Sequence, residues 1–397
     1  MTEQLKRKIG TGLLTAYGVG IMVGAGIYVL TGAASGEAGM WAPVAFLIAG
    51  LVALPTALSF SELSSRIPEA AGDSSYVEVG LKQHWLAVLV GLINIVAGTV
   101  AAAAVLRGGV GYLTSFIDIP FLWAVVGLGA ALTLIAIIGV VESLAFAALL
   151  TVIEVFGLGM VIFAGFSAPP VEAFALPLPP PEWNGVAAAT LFAVFAFIGF
   201  DDMVNMAEEA KNPTRTMPRA ILFALLITAV LYALVSLAAV RAVPREVLGT
   251  SERPLALVWE AGTGSSAVFL SAIAVAAALN GVLAQIVMAS RVLFGLGRRA
   301  PEFRVFYAAH ARFGTPVLAS VLVGAFVIGS ALTLPVATLA EVTTLALLIV
   351  FAIVNAALIG VKRKMGPAEF SVSPLWPWLG VVLSLGCFTA AIAGDLL

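Results

Sequence analysis

The chain has 397 residues, of which 61% are hydrophobic and only 11% charged, with a net charge of −2 and a mean hydropathy of +1.09. A soluble domain carries about 25% charged residues, so this composition excludes an ordinary soluble protein. The net charge does not indicate a partner, and no basic patch in the sequence suggests nucleic acid; the single cysteine, Cys387, excludes an intrachain disulfide. The two histidines, His84 and His310, fall in predicted loops and cannot form a metal cluster, so the sequence predicts no cofactor.

The apolar residues come in blocks that are long enough to cross a bilayer, which predicts an all-α polytopic membrane protein. The short charged stretch 1–8 leads into a long apolar run, which predicts a first helix and not a cleaved signal. Residues 168–183 contain six prolines and predict an extended loop. We count eleven transmembrane helices over residues 10–33, 41–64, 86–116, 121–141, 143–166, 185–206, 219–240, 265–296, 315–334, 337–361 and 374–393.

Positive charges are distributed unevenly between the two sets of predicted loops. With the N-terminus inside, sixteen of the twenty Lys and Arg residues fall on the cytoplasmic side. The other four are Arg107, Arg241, Arg245 and Arg253. This asymmetry follows the positive-inside rule. It predicts a multi-pass protein of the cell membrane with a cytoplasmic N-terminus and, because the number of spans is odd, an external C-terminus.

Two predicted spans contain residues that interrupt a helix. The first has four glycines within residues 18–26, and the sixth has Gly199 followed by Asp201 and Asp202. Unpaired backbone groups in hydrocarbon cost several kcal/mol, so an interrupted helix survives only where protein or a water-lined cavity satisfies it. Interruptions at matching places in two halves of a chain indicate the binding site of a transporter.

This pairing predicts that residues 1–397 form one transporter domain with a 5+5 inverted repeat and broken helices 1 and 6. The first repeat covers residues 10–166 and the second covers residues 185–361, followed by one extra helix at 374–393. The two halves share no visible sequence similarity, so the repeat depends on hydropathy and on the positions of the breaks.

Five motifs occur in an order that resembles the amino acid–polyamine–organocation (APC) superfamily of permeases. The stretch FIGFD at 197–201, followed by AEEAKNPTRTMPRAI at 207–221, is very similar to the sixth helix of that family and its following loop. Further matches are GIMVGAGIY at 20–28, PEAAGDSSY at 68–76, SRVLF at 290–294 and HARFGTP at 310–316. The similarity covers most of the chain. Asp73 departs from the usual second glycine of its motif, and the family usually has twelve spans.

The broken first helix offers groups that match an amino acid backbone. The new helix start presents N–H groups and a positive dipole end to a carboxylate, and glycine lets the ligand approach closely. The preceding half-helix ends in free carbonyls that can accept from an ammonium. The residues assigned in this way, each supported by the resemblance, are Gly24, Ala25 and Gly26 for the carboxylate, and Met22, Phe195 and Ile198 for the ammonium. The alternative is that these glycines only permit close helix packing.

Three further side chains are candidates for gating or coupling. Phe200 lies just past the second break, where it can cover the ligand or simply pack in the core. Asp201 occupies a position that is often acidic in the family. Glu154 lies mid-span in helix five, where proton-coupled members often have lysine; a carboxylate there can titrate during transport, hold a cation, or form a protonated structural contact.

The sequence therefore predicts a secondary active transporter that moves amino acids by alternating access and couples to protons. The small Ala25 and bulky Phe200 favour a neutral substrate side chain without deciding it. A polyamine or other organic-cation carrier is the alternative, and a non-transporting membrane sensor is a third reading. The sequence lacks a His/Cys cluster, a Walker loop and a Ser-His-Asp pattern, so no enzyme is expected. It does not specify the oligomeric state.

Overall fold

The computed structural model describes residues 9–24, 26–68, 72–138, 144–174, 179–310, 312–366 and 368–395, which form fifteen α-helices and no β-strand. The first eight helices are α1 (Thr11–Val23), α2 (Gly26–Ala38), α3 (Ala42–Arg66), α4 (Gly72–Leu81), α5 (His84–Thr114), α6 (Phe121–Ile138), α7 (Leu144–Ser167) and α8 (Trp183–Ala196). The others are α9 (Pro213–Ala242), α10 (Arg245–Thr250), α11 (Pro254–Thr263), α12 (Val268–Arg299), α13 (Val317–Thr333), α14 (Val336–Lys364) and α15 (Leu375–Asp395).

Eight helical stretches in the described part of the chain are long and apolar enough to cross a membrane. Three shorter apolar helices accompany them, namely α1, α8 and α13. This confirms an all-helical, multi-pass membrane protein, and each of the eleven predicted segments contains at least one helix. The full count of eleven spans stays a prediction.

The helices differ from the predicted segments mainly at polar ends. Helix α9 begins at Pro213, six residues before the predicted start at residue 219, because proline is tolerated in a first helical turn and Asn212 supplies the preceding left-handed turn. Hydropathy also missed α4, α10 and α11, which are too short to span a bilayer. The proline-rich segment contains one 3₁₀ turn, Glu172–Phe174, and residues 175–178 lie outside the described residues.

The bundle has two faces with different chemistry. One, which we call the basic face, is formed by the end of α3, by α4, by the start of α9 and by the end of α14. The other, which we call the lid face, carries the two short helices α10 and α11. Helix α10 packs on α2, and α11 packs on α7.

A buried carboxylate ties three elements together at the basic face. Glu62 on α3 is fully buried and pairs with Arg66 at 2.7 Å and with Lys362 on α14 at 2.7 Å. Its second oxygen also accepts from the Val372 N–H at 2.8 Å, in the segment before α15. The buried charge is therefore paired and hydrogen-bonded, as a charge in a low-dielectric interior must be.

Candidate functional site

The first apolar segment is interrupted between α1 and α2. Helix α1 ends at Val23, and the Gly24 backbone leaves helical geometry with a ψ of −146°. Helix α2 begins at Gly26, and Ala25 lies outside the described residues. The first N–H groups of a helix have no acceptor within it and form its positive dipole end. The start of α2 is therefore suited to an anionic group.

The second interruption follows α8. The Ile198 N–H donates to the Phe195 carbonyl at 3.0 Å in a tight turn, and Gly199 has a φ of +124° that favours glycine. A Cβ at Gly199 would come within 2.4 Å of the Ile21 side chain, so space also requires glycine. The Gly199 N–H then donates to Asp201 Oδ1 at 2.9 Å, ahead of a 3₁₀ segment at Asp202–Glu209.

The two interruptions lie directly against each other. A Cβ placed on Gly26 would be 3.4 Å from the Ala196 Cα atom, and one placed on Gly199 would be 3.2 Å from the Met22 nitrogen. Both helix ends also converge on one side chain of α9. The Tyr232 hydroxyl lies 2.6 Å from the Met22 carbonyl and 2.8 Å from the Ala196 carbonyl. Since a hydroxyl has one proton, the two carbonyls share a single donor.

The sequence did not identify Tyr232 as a residue of the site. It is fully buried in the long apolar helix α9, and its only sequence signal is that it is the one tyrosine of that helix. A buried tyrosine hydroxyl usually finds a partner, but the chain alone does not identify two helix ends more than thirty residues away as that partner.

Several backbone groups assigned to the substrate already have partners in this conformation. The Met22 carbonyl accepts from Tyr232, and the Phe195 carbonyl accepts from the Ile198 N–H. The Gly24 N–H donates to the Gly20 carbonyl at 2.9 Å. A carbonyl has two lone pairs, so Met22 and Phe195 keep capacity for a second donor. Their substrate roles stay predictions.

Phe200 packs in an aromatic cluster. Its ring centroid lies 5.9 Å from that of Phe60 on α3 and 5.4 Å from that of Phe351 on α14, and the side chain is 1% exposed. Phe200 thus lies in the core, which is the alternative to a gating role. Covering a ligand would require Phe200 to leave these rings, and that role also stays a prediction.

Glu154 is buried on the side of α7 that contacts the first segment. Three residues before it, Thr151 meets Gly20 of α1, and three residues after it, Gly157 meets the Tyr28 hydroxyl of α2. That hydroxyl donates to the Glu154 backbone carbonyl at 3.0 Å. Helix α7 therefore packs on the first segment around Glu154, while coupling at Glu154 stays a prediction.

Asp201 lines a polar cavity that the sequence did not predict. The cavity has a volume of about 80 Å³ and extends from Ile198 at the second interruption to α4 at the basic face. Its wall holds three carboxylates, Asp73, Asp201 and Asp202, together with the amides Asn94 and Gln285. Asn94 donates to Asp73 Oδ2 at 2.8 Å. Gln285 donates to Asp202 Oδ2 at 3.2 Å.

Burial changes the acidity of the carboxylate that α4 contributes. Asp73 lies outside the candidate spans and is 7% exposed. Burial, and to a smaller extent the nearby charge of Asp201, raises the pKa of Asp73 to about 7, and the hydrogen bond from Asn94 limits the rise. This side chain therefore titrates near neutral pH. The only sequence signal was the departure of Asp73 from its motif.

The lid face is closed over the first segment. The Tyr112 hydroxyl of α5 donates to the Tyr28 carbonyl at 2.6 Å and accepts from the Leu255 N–H of α11 at 3.2 Å. A Cβ on Gly36 of α2 would come within 2.9 Å of the Gly249 Cα atom, so these backbones touch. The interruptions are thus covered on the lid face, and the polar cavity lies on the other side of them.

Comparison with known proteins assigns the chain to a family. The family model described as amino acid permease matches residues 9–394. The chain is 27% identical to the branched-chain amino acid permease of Bacillus subtilis, over 96% of this chain and 88% of that protein. It is 30% identical to the methylthioribose transporter of the same organism, over 96% and 86% of the two chains.

A plant relative matches equally well over a smaller share of its length. The chain is 30% identical to the vacuolar cationic amino acid transporter 4 of Arabidopsis thaliana, over 88% of this chain. The match covers 62% of the plant protein. The three relatives carry names of chemically different cargoes, so similarity alone does not select a substrate.

Proposed function

Because the chain belongs to the amino acid permease family of the APC superfamily, we propose that it is a secondary active transporter of amino acids that works by alternating access and couples to protons. The observation that carries this proposal is the contact between the two interruptions, which brings a helix start and two helix ends to one point. The family and the named relatives are transporters, so we assign no enzymatic activity.

We further propose that the interruptions are the broken helices 1 and 6 of a 5+5 inverted repeat. Two of the three short apolar helices, α1 and α8, each end at an interruption, as half-helices do. Four predicted spans separate the two interrupted segments, which is the spacing that an inverted repeat of five requires. Helix α15 is then the extra helix.

In this proposal the amino acid replaces a contact that the protein makes with itself. The substrate carboxylate binds the N–H groups at the start of α2. Its ammonium has three protons and binds the carbonyls of Met22, Phe195 and Ile198. Tyr232 now donates to Met22 and to the neighbouring Ala196, and we place the ammonium where its hydroxyl gives up the Met22 carbonyl.

The conformation supports alternating access. The lid face is closed by Tyr112 and by the Gly36–Gly249 contact, whereas the cavity reaches from the interruption toward the basic face. By the positive-inside rule the basic face is cytoplasmic. The structure then corresponds to a carrier that is closed to the outside.

For coupling we propose Glu154, with Asp201 as the alternative. A protonated Glu154 can donate one hydrogen bond toward the first segment, whereas the charged form faces carbonyl lone pairs and separates the helices. Glu154→Gln is expected to keep substrate binding and to lose pH-dependent accumulation in reconstituted vesicles. Unchanged pH dependence in that variant would make Glu154 structural and move coupling to Asp201.

The central test is a matched pair of glycine substitutions. Gly26→Leu places a side chain between α2 and Ala196 and should abolish amino acid binding and uptake. Gly159→Leu is the control, because Gly159 is exposed on α7 and a Cβ there meets nothing within 4 Å. Binding and uptake are measured with purified, monodisperse protein. Normal affinity in Gly26→Leu would overturn the site.

A further inference from the structure

We propose that the polar cavity is a subsite for a positively charged substrate side chain, a primary ammonium or a guanidinium. This inference rests on the proposed function and narrows its substrate to basic amino acids. It differs from the neutral side chain that Ala25 and Phe200 favoured at the level of sequence. The sequence did not reveal this cavity, because its wall combines residues from five separated parts of the chain.

The ionisable side chains on the wall are all acidic. Asp73, Asp201 and Asp202 face the same cavity, and the described residues that line it include no Lys, Arg or His. Carboxylates at membrane depth or near its edge are costly, and they are kept where they pair with a cation or mark a pathway. The three carboxylates thus lack a cation that a bound substrate can supply.

Two buried amide oxygens give independent evidence for a missing donor. Asn94 Oδ1 and Gln285 Oε1 are inaccessible to solvent and accept no hydrogen bond from any described residue. Their amide nitrogens are already committed, Asn94 to Asp73 and Gln285 to Asp202, which fixes which end of each amide remains free. A buried acceptor that stays unpaired is unfavourable because it has lost its hydrogen bonds to water, so a ligand rich in N–H groups would restore the missing bonds.

The space beside the free Gln285 oxygen is kept open by glycine. A Cβ on Gly98 of α5 would lie 2.9 Å from Gln285 Oε1. Any other residue at Gly98 would press on the free amide oxygen. Helix α5 therefore leaves room at the point where a donor would bind.

The residues that line the cavity favour an organic cation over a metal ion. Ile198, Ala97 and Met288 line the same cavity and offer an apolar surface to a methylene chain. A hard inorganic cation instead takes six or more oxygen ligands in a compact shell. The cavity starts at Ile198, next to the proposed backbone site, so a long basic side chain can reach the carboxylates while its backbone stays at the interruptions.

Binding of such a side chain should depend on pH near neutrality. Asp73, with a pKa of about 7, faces two other titratable groups, Asp201 and Asp202, and the remaining lining side chains do not ionise. A bound cation favours the charged form of Asp73 and so displaces its proton. Affinity for a basic amino acid should therefore rise as pH increases through 7, while affinity for a neutral one changes less.

The test compares lysine, arginine and leucine on the full-length protein in detergent, by thermal shift and by radioligand binding. Lysine or arginine should bind more tightly than leucine, and Asp73→Asn should weaken lysine binding about tenfold with leucine binding unchanged. The control is Glu78→Gln, which makes the same charge change at an exposed position of α4. Gly98→Ala should give the same selective loss and serves as a second variant if Asp73→Asn does not fold.

The outcomes separate this inference from the proposed function. Leucine binding without lysine or arginine binding would overturn the subsite and leave the amino acid transporter intact. Equal displacement of lysine by sodium chloride and by choline chloride supports the subsite, whereas specific displacement by sodium would make it an inorganic cation site. Absence of binding by all three amino acids would overturn both proposals.

Discussion

The lid face and the basic face hold the bundle together by different means. The lid face is closed by backbone contact at Gly36 and Gly249, by the buried Tyr112 hydroxyl and by the exposed Arg245, which donates to the Gly36 carbonyl. The basic face uses charge, with Glu62 buried between Arg66 and Lys362. Close packing with few polar bonds can separate without leaving a buried charge unpaired, whereas an ion network cannot. The comparison suggests that the lid face is the more easily opened of the two.

The largest expected effect concerns which face meets the cytoplasm. In a Cys387→Ser background, a cysteine added after Leu397 should react fully with an impermeant thiol reagent applied to intact cells. The predicted odd number of spans and the proposed cytoplasmic position of the basic face require this result. A cysteine near the N-terminus is the control and should react only after permeabilisation. The reverse pattern would invert the two faces.

Removing the buried carboxylate of Glu62 should strongly destabilise the basic face. Glu62→Ala leaves Arg66 and Lys362 without their buried partner, and breaking a buried pair costs about 3–5 kcal/mol. The measurement is the unfolding midpoint in detergent. Glu78→Ala, at an exposed carboxylate of α4, is the control and should change it little. A midpoint near wild type in Glu62→Ala would mean that the network contributes little.

A smaller change should loosen the lid face. Tyr112→Phe removes the partner of the Tyr28 carbonyl and of the Leu255 N–H, at a cost of about 1–3 kcal/mol. A reporter cysteine at the buried Ala256 of α11, again without Cys387, should then label faster. Tyr307→Phe, on an exposed side chain, serves as the control. If labelling is unchanged, the hydroxyl does not hold the lid.

The smallest effect is expected at an exposed pair on the basic face. Arg215 and Thr214 hydrogen-bond to Glu369 and hold the pKa of Glu369 below its usual value. A lowered pKa in the folded state gives stability that is present above the unfolded pKa and is lost as pH falls through the folded pKa. Glu369→Gln should lower the melting temperature slightly at pH 7. The difference should vanish in acid and at high salt, because the pair is solvent-exposed.

Hydropathy and helix breakers predicted much of this architecture. Apolar blocks marked the long helices, because each must cover its own length of bilayer, and glycines marked both interruptions. The cavity could not be predicted in this way. Asp73, Asn94 and Gln285 are far apart in the chain, and only the packing of α4, α5 and α12 brings them to one wall. Tyr232 was missed for the same reason, since its partners are backbone atoms and carry no sequence signal.

The single proton of Tyr232 has a thermodynamic consequence. If a substrate ammonium takes the Met22 carbonyl from the hydroxyl, part of its binding energy replaces a bond that the empty protein already makes. The exchange yields less net affinity than filling a vacant site would, because the bond from the hydroxyl is lost. A weakly bound substrate dissociates sooner, and the lifetime of the bound state limits how often a carrier can release its substrate. Tyr232 would thus trade affinity for turnover, and its hydroxyl would keep the two segments joined on the empty return.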